Sequence, residues 1–407
     1  MHFLFAWRYF KAKKSTTAIN VIAWISIGAI VLGTAALILV LSVFNGFEDL
    51  VKSLYSSFYT DLKISPVTGK NITLTPAQLQ QLKGINGIKN YSLVVEEKAF
   101  LQNGDYQSVA YIKGVDENYR YVTGVADHIV KGEYDLGNED VPKLVLGIGV
   151  EGALGIQADK NIFILKIYLP RKSNIEQIDP LNDISNDSIR TSSAFVIQQD
   201  FDNKYAITNI DFMKKALKLG PDEYSGAEIT LKNPSDAELV QGQIKKIMGN
   251  NYRVQTRYEQ NQSLYSIMNI ERWIIYGVLC LILVVAAFNM IGALTMLVLE
   301  KQKDISVLYS LGGNRNFIQK IFLTEGLLLA GIGTITGMLL ALIIAYLQIN
   351  YHLIKLEGGS FLIDYFPVKL RWTDFLLVSA TVLVIALIAS WLPSRKASSQ
   401  EFSLRSE

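Results

Sequence analysis

The chain has 407 residues with 39 Lys+Arg against 37 Asp+Glu; half of it is apolar and only 19% is charged. A formal charge of +2 argues against a dedicated nucleic-acid binder, and such thin charge argues against a wholly soluble protein. The one cysteine, Cys280, excludes an internal disulfide, and the scattered His2, His128 and His352 match no zinc-site spacing.

Charge is absent from 15–47, 273–299, 326–354 and 375–394, stretches of 33, 27, 29 and 20 residues. Crossing bilayer hydrocarbon takes about 20 helical residues at roughly 1.5 Å each. The chain therefore reads as an interfacial amino segment 1–17, then a first span 18–44. Phe3, Leu4, Phe5, Trp7, Tyr9 and Phe10 interleave with Arg8, Lys11, Lys13 and Lys14, which suits a helix lying at the membrane surface. The apolar core of the first span is too long for a cleavable signal and ends in bulky Leu41, Val43 and Phe44, so it reads as an uncleaved helix.

A 45–272 segment follows. Short or alternating apolar runs at 62–64, 91–95, 108–112, 162–167, 194–197 and 227–231 read as strands between turn residues. Thr75-Pro76 announces a helix over 77–82, 210–219 reads as a helix stopped by Gly220-Pro221, and Ser235 reads as a cap for 237–248. The mixture predicts an α+β domain of two subdomains, strand-rich at about 100–200. Within it, 170–192 is rich in Asn, Asp and Ser, and reads as a surface loop or a protruding contact element. The second span is 273–299. The 300–320 connector carries a short amphipathic helix broken at Gly312-Gly313. A third span at 321–349, a short loop at 350–373, a fourth span at 374–392 and a tail at 393–407 complete the chain. Arg8, Lys11, Lys13 and Lys14 without a flanking acid place both termini in the cytoplasm and 45–272 and 350–373 outside.

No GxxxxGK[ST], HExxH, GxSxG or CxxC occurs, so no enzymatic site, P-loop or metal site is expected. Glu325 is the acid well inside an apolar stretch; snorkelling, a bundle-facing polar contact and a proton relay are all open for it.

Several runs carry a family likeness. They are Arg8-Tyr9-Phe10 with Lys13-Lys14, Ser42-Val43-Phe44-Asn45-Gly46-Phe47-Glu48, Lys113-Gly114-Val115-Asp116 and Val145-Leu146-Gly147-Ile148-Gly149-Val150. Phe288-Asn289-Met290-Ile291, the 296–301 and 304–313 segments, and Pro393-Ser394-Arg395-Lys396-Ala397 extend it. Together they resemble the lipoprotein-releasing (LolC/LolE-type) permeases of the MacB/FtsX superfamily of ABC transporters. The resemblance implies a four-helix membrane protein with a large MacB-like periplasmic domain in the bacterial inner membrane. It implies a permease that extracts lipoproteins and passes them to a periplasmic carrier. It also implies a second permease, identical or homologous, and two copies of a cytoplasmic ATPase that holds the ATP and Mg; no cofactor is expected in this chain. Glu300, Lys303, Ile305, Leu308, Leu311 and Gly312 would then couple to the ATPase, with Ile305, Leu308 and Leu311 docking. Val40, Val43, Phe44, Ile274, Ile275 and Val278 would line the lipoprotein path, with Gly28 and Gly33 allowing close helix approach. Arg171, Lys172, Ile178 and Pro180 would contact the carrier. The alternatives are a MacB-like efflux permease, whose usual fused ATPase has no room before Ala18, and an FtsX-like mechanotransmission or signalling protein.

Overall fold

The computed structural model describes residues 17–160, 163–170, 184–249, 251–356 and 363–399. The chain divides into two compact units, one helical and built from residues up to Leu50 and from Ser266 onward, the other running from Val51 to Tyr265.

The helical unit is carried by α1 (Thr17–Phe58), while α2 (Pro76–Lys83), α3 (Ile210–Leu217) and α4 (Ala237–Met248) belong to the second unit. After them come α5 (Gln262–Glu300), the short α6 (Gln302–Ser310), α7 (Arg315–Tyr351) and α8 (Trp372–Ser399). α1, α5, α7 and α8 are each long and apolar enough to cross a membrane. All four outrun the spans read from hydropathy. α1 continues 14 residues past Phe44 and α5 begins 11 residues before Trp273. The reason is local: 45–58 contains no proline, and Glu48 precedes Lys52 by four residues, a spacing that favours helix. Hydropathy reports where charge begins, not where the backbone hydrogen-bond ladder ends.

α7 has specific ends. The Asn314 side chain accepts from the Phe317 N–H at 2.8 Å, and His352 closes the helix in the left-handed region at φ 48°. Gln348 then stitches the following loop, accepting from Ile354 N–H at 2.9 Å and donating to the carbonyls of Ile354 and Phe366 at 3.0 and 3.2 Å.

Small residues set the helix contacts. A Cβ on Gly333 would sit 2.7 Å from the Ile30 side chain, and one on Gly337 2.7 Å from the Val31 carbonyl oxygen, so α7 approaches α1 where only glycine fits. Gly33 is equally tight, 2.9 Å from Leu283 of α5. Gly28 has nothing within 4 Å among the described residues of the chain.

The second unit is built on one ten-stranded sheet. Its strands are β1 (Leu62–Pro66), β3 (Ile88–Asn103), β4 (Tyr106–Val115), β5 (Ile129–Gly132), β6 (Lys143–Gly147), β7 (Ile164–Pro170), β8 (Ile184–Phe195), β9 (Tyr205–Asn209), β11 (Gly226–Leu231) and β12 (Tyr252–Thr256). A separate two-stranded ribbon pairs β2 (Ile72–Thr73) with β10 (Glu223–Tyr224). Pairing runs β12–β1–β11–β3 as an antiparallel sheet. It continues β3–β4–β9–β6–β8–β7 and returns to β3, closing a six-stranded barrel. Closure is possible because β3 is 16 residues long: its first half pairs with β11 and its second half with β7. A closed barrel leaves no open edge. Leu165, Ile167 and Leu169 alternate inward along β7 and join Leu101, Ile112, Leu144 and Ala206 in the core.

Three helices cover this sheet: α2 (Pro76–Lys83), α3 (Ile210–Leu217) and α4 (Ala237–Met248). α2 opens with a capping box between Thr75 and Gln78, with Pro76 in its first turn. α3 ends two residues short of the expected Leu219: Lys218, at φ 55°, stops it before Gly220-Pro221. A single 3-10 turn, Pro234–Asp236, precedes α4 and is capped by Asn233, whose side chain accepts from Ser235 N–H at 3.2 Å; Asp236, not Ser235, stands at the N-cap of α4 and makes no side-chain cap bond. Strands extend from Leu62 to Thr256, including the runs read at 62–64, 91–95 and 227–231 on either side of the 100–200 stretch. The polar 170–192 segment is no loop over its second part. Asn186, Asp187 and Ser188 are strand residues of β8 facing Tyr168, Ile167 and Lys166.

Candidate functional site

The connector helix α6 is anchored on one face and open on the other. Ile305 is 1% exposed and packs with Leu297, Val298, Ile318, Phe322 and Ala397, with Tyr309 against the same cluster. The Tyr309 hydroxyl donates to the Ser398 carbonyl at 3.0 Å, tying α6 to α8. Gly312, at φ +90°, then turns the chain, and a Cβ on Gly313 would meet the Leu308 carbonyl at 2.7 Å. Ile305 is therefore a core residue of this chain and is not available to dock a partner. Lys303, Val307 and Leu311 are exposed on the opposite side, spaced four residues apart, with Leu311 at 79%. Leu308 is half-buried, Glu300 likewise, and Gly312 is exposed. Val307, which the sequence reading did not single out, lies off the Ile305–Leu308–Tyr309 stripe. That apolar stripe marks the face that packs inward, and the sequence alone does not tell it from a docking face.

Among the six residues read as an apolar path, Val40 on α1 and Ile274 and Val278 on α5 are exposed, while Val43, Phe44 and Ile275 are half-buried. Their helices meet at Gly33 against Leu283. α5 is the barest of the four long helices: 17% of its most apolar window is buried against 50% for α1. Ile267, Ile270, Ile274, Val278, Leu281, Val285 and Phe288 are all exposed along it. Such a continuous apolar face exists to meet lipid, acyl chains or another helix.

One end of the helical unit holds a charge network. Asp374 is 2% exposed; one carboxylate oxygen accepts from Arg272 Nη2 at 2.7 Å and the other from Asn45 Nδ2 at 2.5 Å. Alongside, Arg371 donates to Glu48 at 3.3 Å and to Asp49 at 3.0 Å, and Lys369 also donates to Asp49. A Cβ on Gly46 would lie 2.3 Å from the Pro367 carbonyl oxygen, and the Phe47 and Phe366 rings meet edge to face at 5.8 Å. Asn45 to Glu48, from the run that carried the family likeness, together with Asp49 thus clasp the 366–374 segment. Glu325 is 1% exposed, so it faces the bundle interior and does not snorkel.

The second unit has its own network, buried on the sheet. Lys113 on β4 bonds Glu228 on β11 at 2.9 Å and lies 3.8 Å from Glu96 on β3; Lys63 on β1 lies 3.9 Å from both acids. Across the four neighbouring strands β1–β11–β3–β4 the two lysines stand at the outer positions and the two acids lie side by side between them. Phe58, Tyr119 and Tyr205 enclose the ammonium, with ring centroids at 4.6, 5.6 and 5.8 Å. Burial alone would lower the Lys113 pKa, but Glu228, Tyr119 and Glu96 outweigh it and hold it well above the ordinary 10.5. Burial would likewise raise Glu96, yet Lys63 and Lys113 hold it below 4.5.

Arg171, Lys172, Ile178 and Pro180 lie outside the described residues; the flanking strands bring Pro170 opposite Ile184. Among the described residues no cluster of His, Cys, Asp and Glu fits a metal ion.

The FtsX-like permease C-terminal family model matches residues 276–402, and the MacB-like periplasmic core domain model matches 23–168. The chain is 27% identical to the lipoprotein-releasing system transmembrane protein LolE of Haemophilus influenzae, over 97% of this chain and 96% of that one. It is 26% identical to the corresponding LolC of Neisseria meningitidis, over 98% and 97%. The periplasmic region of MacB from Actinobacillus actinomycetemcomitans aligns over 53% of this chain and 98% of that structure, at 13% identity and a TM-score of 0.36.

Proposed function

We propose that this chain, which belongs to the MacB/FtsX family of ABC transporter permeases, releases lipoproteins from the inner membrane toward a periplasmic carrier. The family is not itself catalytic and works with a partner ATPase. The observation that carries the finer reading is similarity along nearly the whole chain, external unit included, to proteins named for lipoprotein release.

The physical chemistry agrees. A lipid anchor loses about 0.8 kcal/mol per methylene on leaving the bilayer, so three acyl chains need an apolar route and an energy source. The exposed face of α5, with Ile274 and Val278, supplies an apolar surface at which a second permease and acyl chains meet. ATP and Mg sit in the separate subunit, which docks on Lys303, Val307 and Leu311 with Leu308 at the margin. Both termini face the cytoplasm, and the 171–183 stretch supplies the carrier contact.

Photocrosslinkers at positions 43, 44, 274 and 278 test the path, with controls at Val382 and Ile385. Adducts with an acylated lipoprotein form at the first set and fall on ATP turnover. Equal labelling of both sets, or labelling indifferent to acylation, contradicts the path. Retention of lipoproteins in the membrane at wild-type levels after depletion of the chain contradicts the function and favours an efflux or signalling role.

A further inference from the structure

The Asp374–Arg272–Asn45 network borders a cleft of about 230 Å³ between α5 and α8, lined by Asn269, Arg272, Trp273, Tyr276, Thr373 and Asp374 over an apolar floor of Leu41 and Leu377. Formally the pair is neutral, but the face it turns to the cleft is not. Asp374 is sealed, with one oxygen on Arg272 and the other on Asn45. Arg272 is 30% exposed and spends one of its five N–H groups on Asp374; the other four have no protein partner among the described residues. The buried carboxylate holds one Nη of a guanidinium that lines the cleft and remains partly exposed. The Trp273 indole N–H, the Asn269 amide and the Thr373 hydroxyl add neutral donors around it. An ammonium finds no open carboxylate there, whereas a phosphate finds a fixed fork of donors.

A second observation fixes the depth. Trp273 and Trp372 flank the cleft and are both exposed, and next to them Ile270, Ile274 and Leu376 are also exposed. Tryptophans at the start of apolar runs sit at the headgroup level of a bilayer. A free phosphate has no use for that apolar apron; a phosphate carrying acyl chains does.

We propose that this cleft binds the phosphodiester headgroup of a membrane phospholipid, with Arg272 on the phosphate and the chains along Ile270, Ile274 and Leu376. Anionic phosphatidylglycerol is favoured over phosphatidylethanolamine, because the ammonium of the latter meets no open acid. The site shares Ile274 with the proposed lipoprotein path, but its headgroup contact at Arg272 does not depend on that path.

Native mass spectrometry of the full chain, purified from phosphatidylglycerol nanodiscs, tests it. The comparison is the double variant Arg272→Gln/Asp374→Asn, which removes the cation without stranding a buried carboxylate. One retained phospholipid per chain in the wild type, and about tenfold weaker retention in the variant, is the expected result. Arg395→Gln, at the other end of α8, leaves retention unchanged. Unchanged retention in the double variant overturns the site, and so does an equal loss in the Arg395 control. Displacement of the lipid by millimolar inorganic phosphate assigns the cleft to free phosphate and overturns the lipid assignment. If the double variant fails to purify, Arg272→Lys stands in: it keeps the charge but loses the fork, and retention equal to wild type overturns the role given to the guanidinium.

Discussion

Lys113 and Arg272 are both cations held by buried acids, and they are used in opposite ways. Around Lys113, four strands bring two lysines and two glutamates together and three aromatic rings close the lid, leaving the lysine side chain 3% exposed. Around Arg272, only the acid is sealed, and the guanidinium remains partly open at the edge of the helical unit. The first arrangement spends its charge on holding strands together and leaves nothing for a ligand. The second keeps donors in reserve. Burial of the anion in both cases, with burial of the cation in one, separates a structural network from a receptive one.

Breaking the closed network has the largest expected effect. Lys113→Met leaves Glu228 buried without its main partner and lowers stability by about 3–5 kcal/mol. Denaturant unfolding of the full chain in detergent, followed by near-UV circular dichroism, measures it. Adding Glu228→Leu recovers part of the loss, since no buried charge is then stranded. Asp374→Asn is milder, about 1–2 kcal/mol, because the freed guanidinium reaches solvent and headgroups. Equal losses in the two variants would erase the distinction between them.

Glycine contacts sharpen the comparison within the helical unit. Gly337→Val pushes a side chain onto the Val31 carbonyl and costs about 1–3 kcal/mol, while Gly28→Ala stays within about 0.5 kcal/mol. Thermal unfolding in detergent separates them.

The smallest effect is the pH response of the closed network. Glu96 has a folded-state pKa below its ordinary 4.5, so its contribution is present above that pH and is lost as the pH falls through the lowered value. Lys113 has a raised pKa, so its contribution is complete below 10.5 and is lost only as the pH climbs through a value well above it. Stability of the second unit is therefore flat with respect to these two groups from about pH 5 to 10 and falls on the acid side. Glu96→Gln flattens the acid limb in the same unfolding experiment.

These contrasts also show what the sequence could carry. Four charge-free runs reveal four apolar helices, because hydropathy is a property of residues in series. The same runs hide the helix ends at Phe58 and Gln262, which depend on backbone bonding beyond the apolar stretch. Alternation exposes the inward positions of β7. Nothing local reveals that β3 serves two sheets, since closure joins residues far apart in sequence. The site divides the same way. The apolar stripe of α6 is legible, but whether Ile305 faces this chain or a partner depends on Phe322 and Ala397 packing from other helices. Arg272 and Asp374 each stand beside an apolar run, 102 positions apart, and only folding pairs them.

In the proposed coupling, a permease subunit presents the Lys303–Val307–Leu311 face of α6 to an ATPase while Ile305 holds that helix in place. Co-purification of the nucleotide-binding subunit with Val307→Asp and Ile305→Asp chains, read beside the melting temperature of each permease, tests it directly. Val307→Asp releases the ATPase from a permease that melts like the wild type, whereas Ile305→Asp lowers the melting temperature before any question of partner binding arises. A Val307→Asp permease that keeps its ATPase and its transport, or an Ile305→Asp permease that melts normally, contradicts the claim.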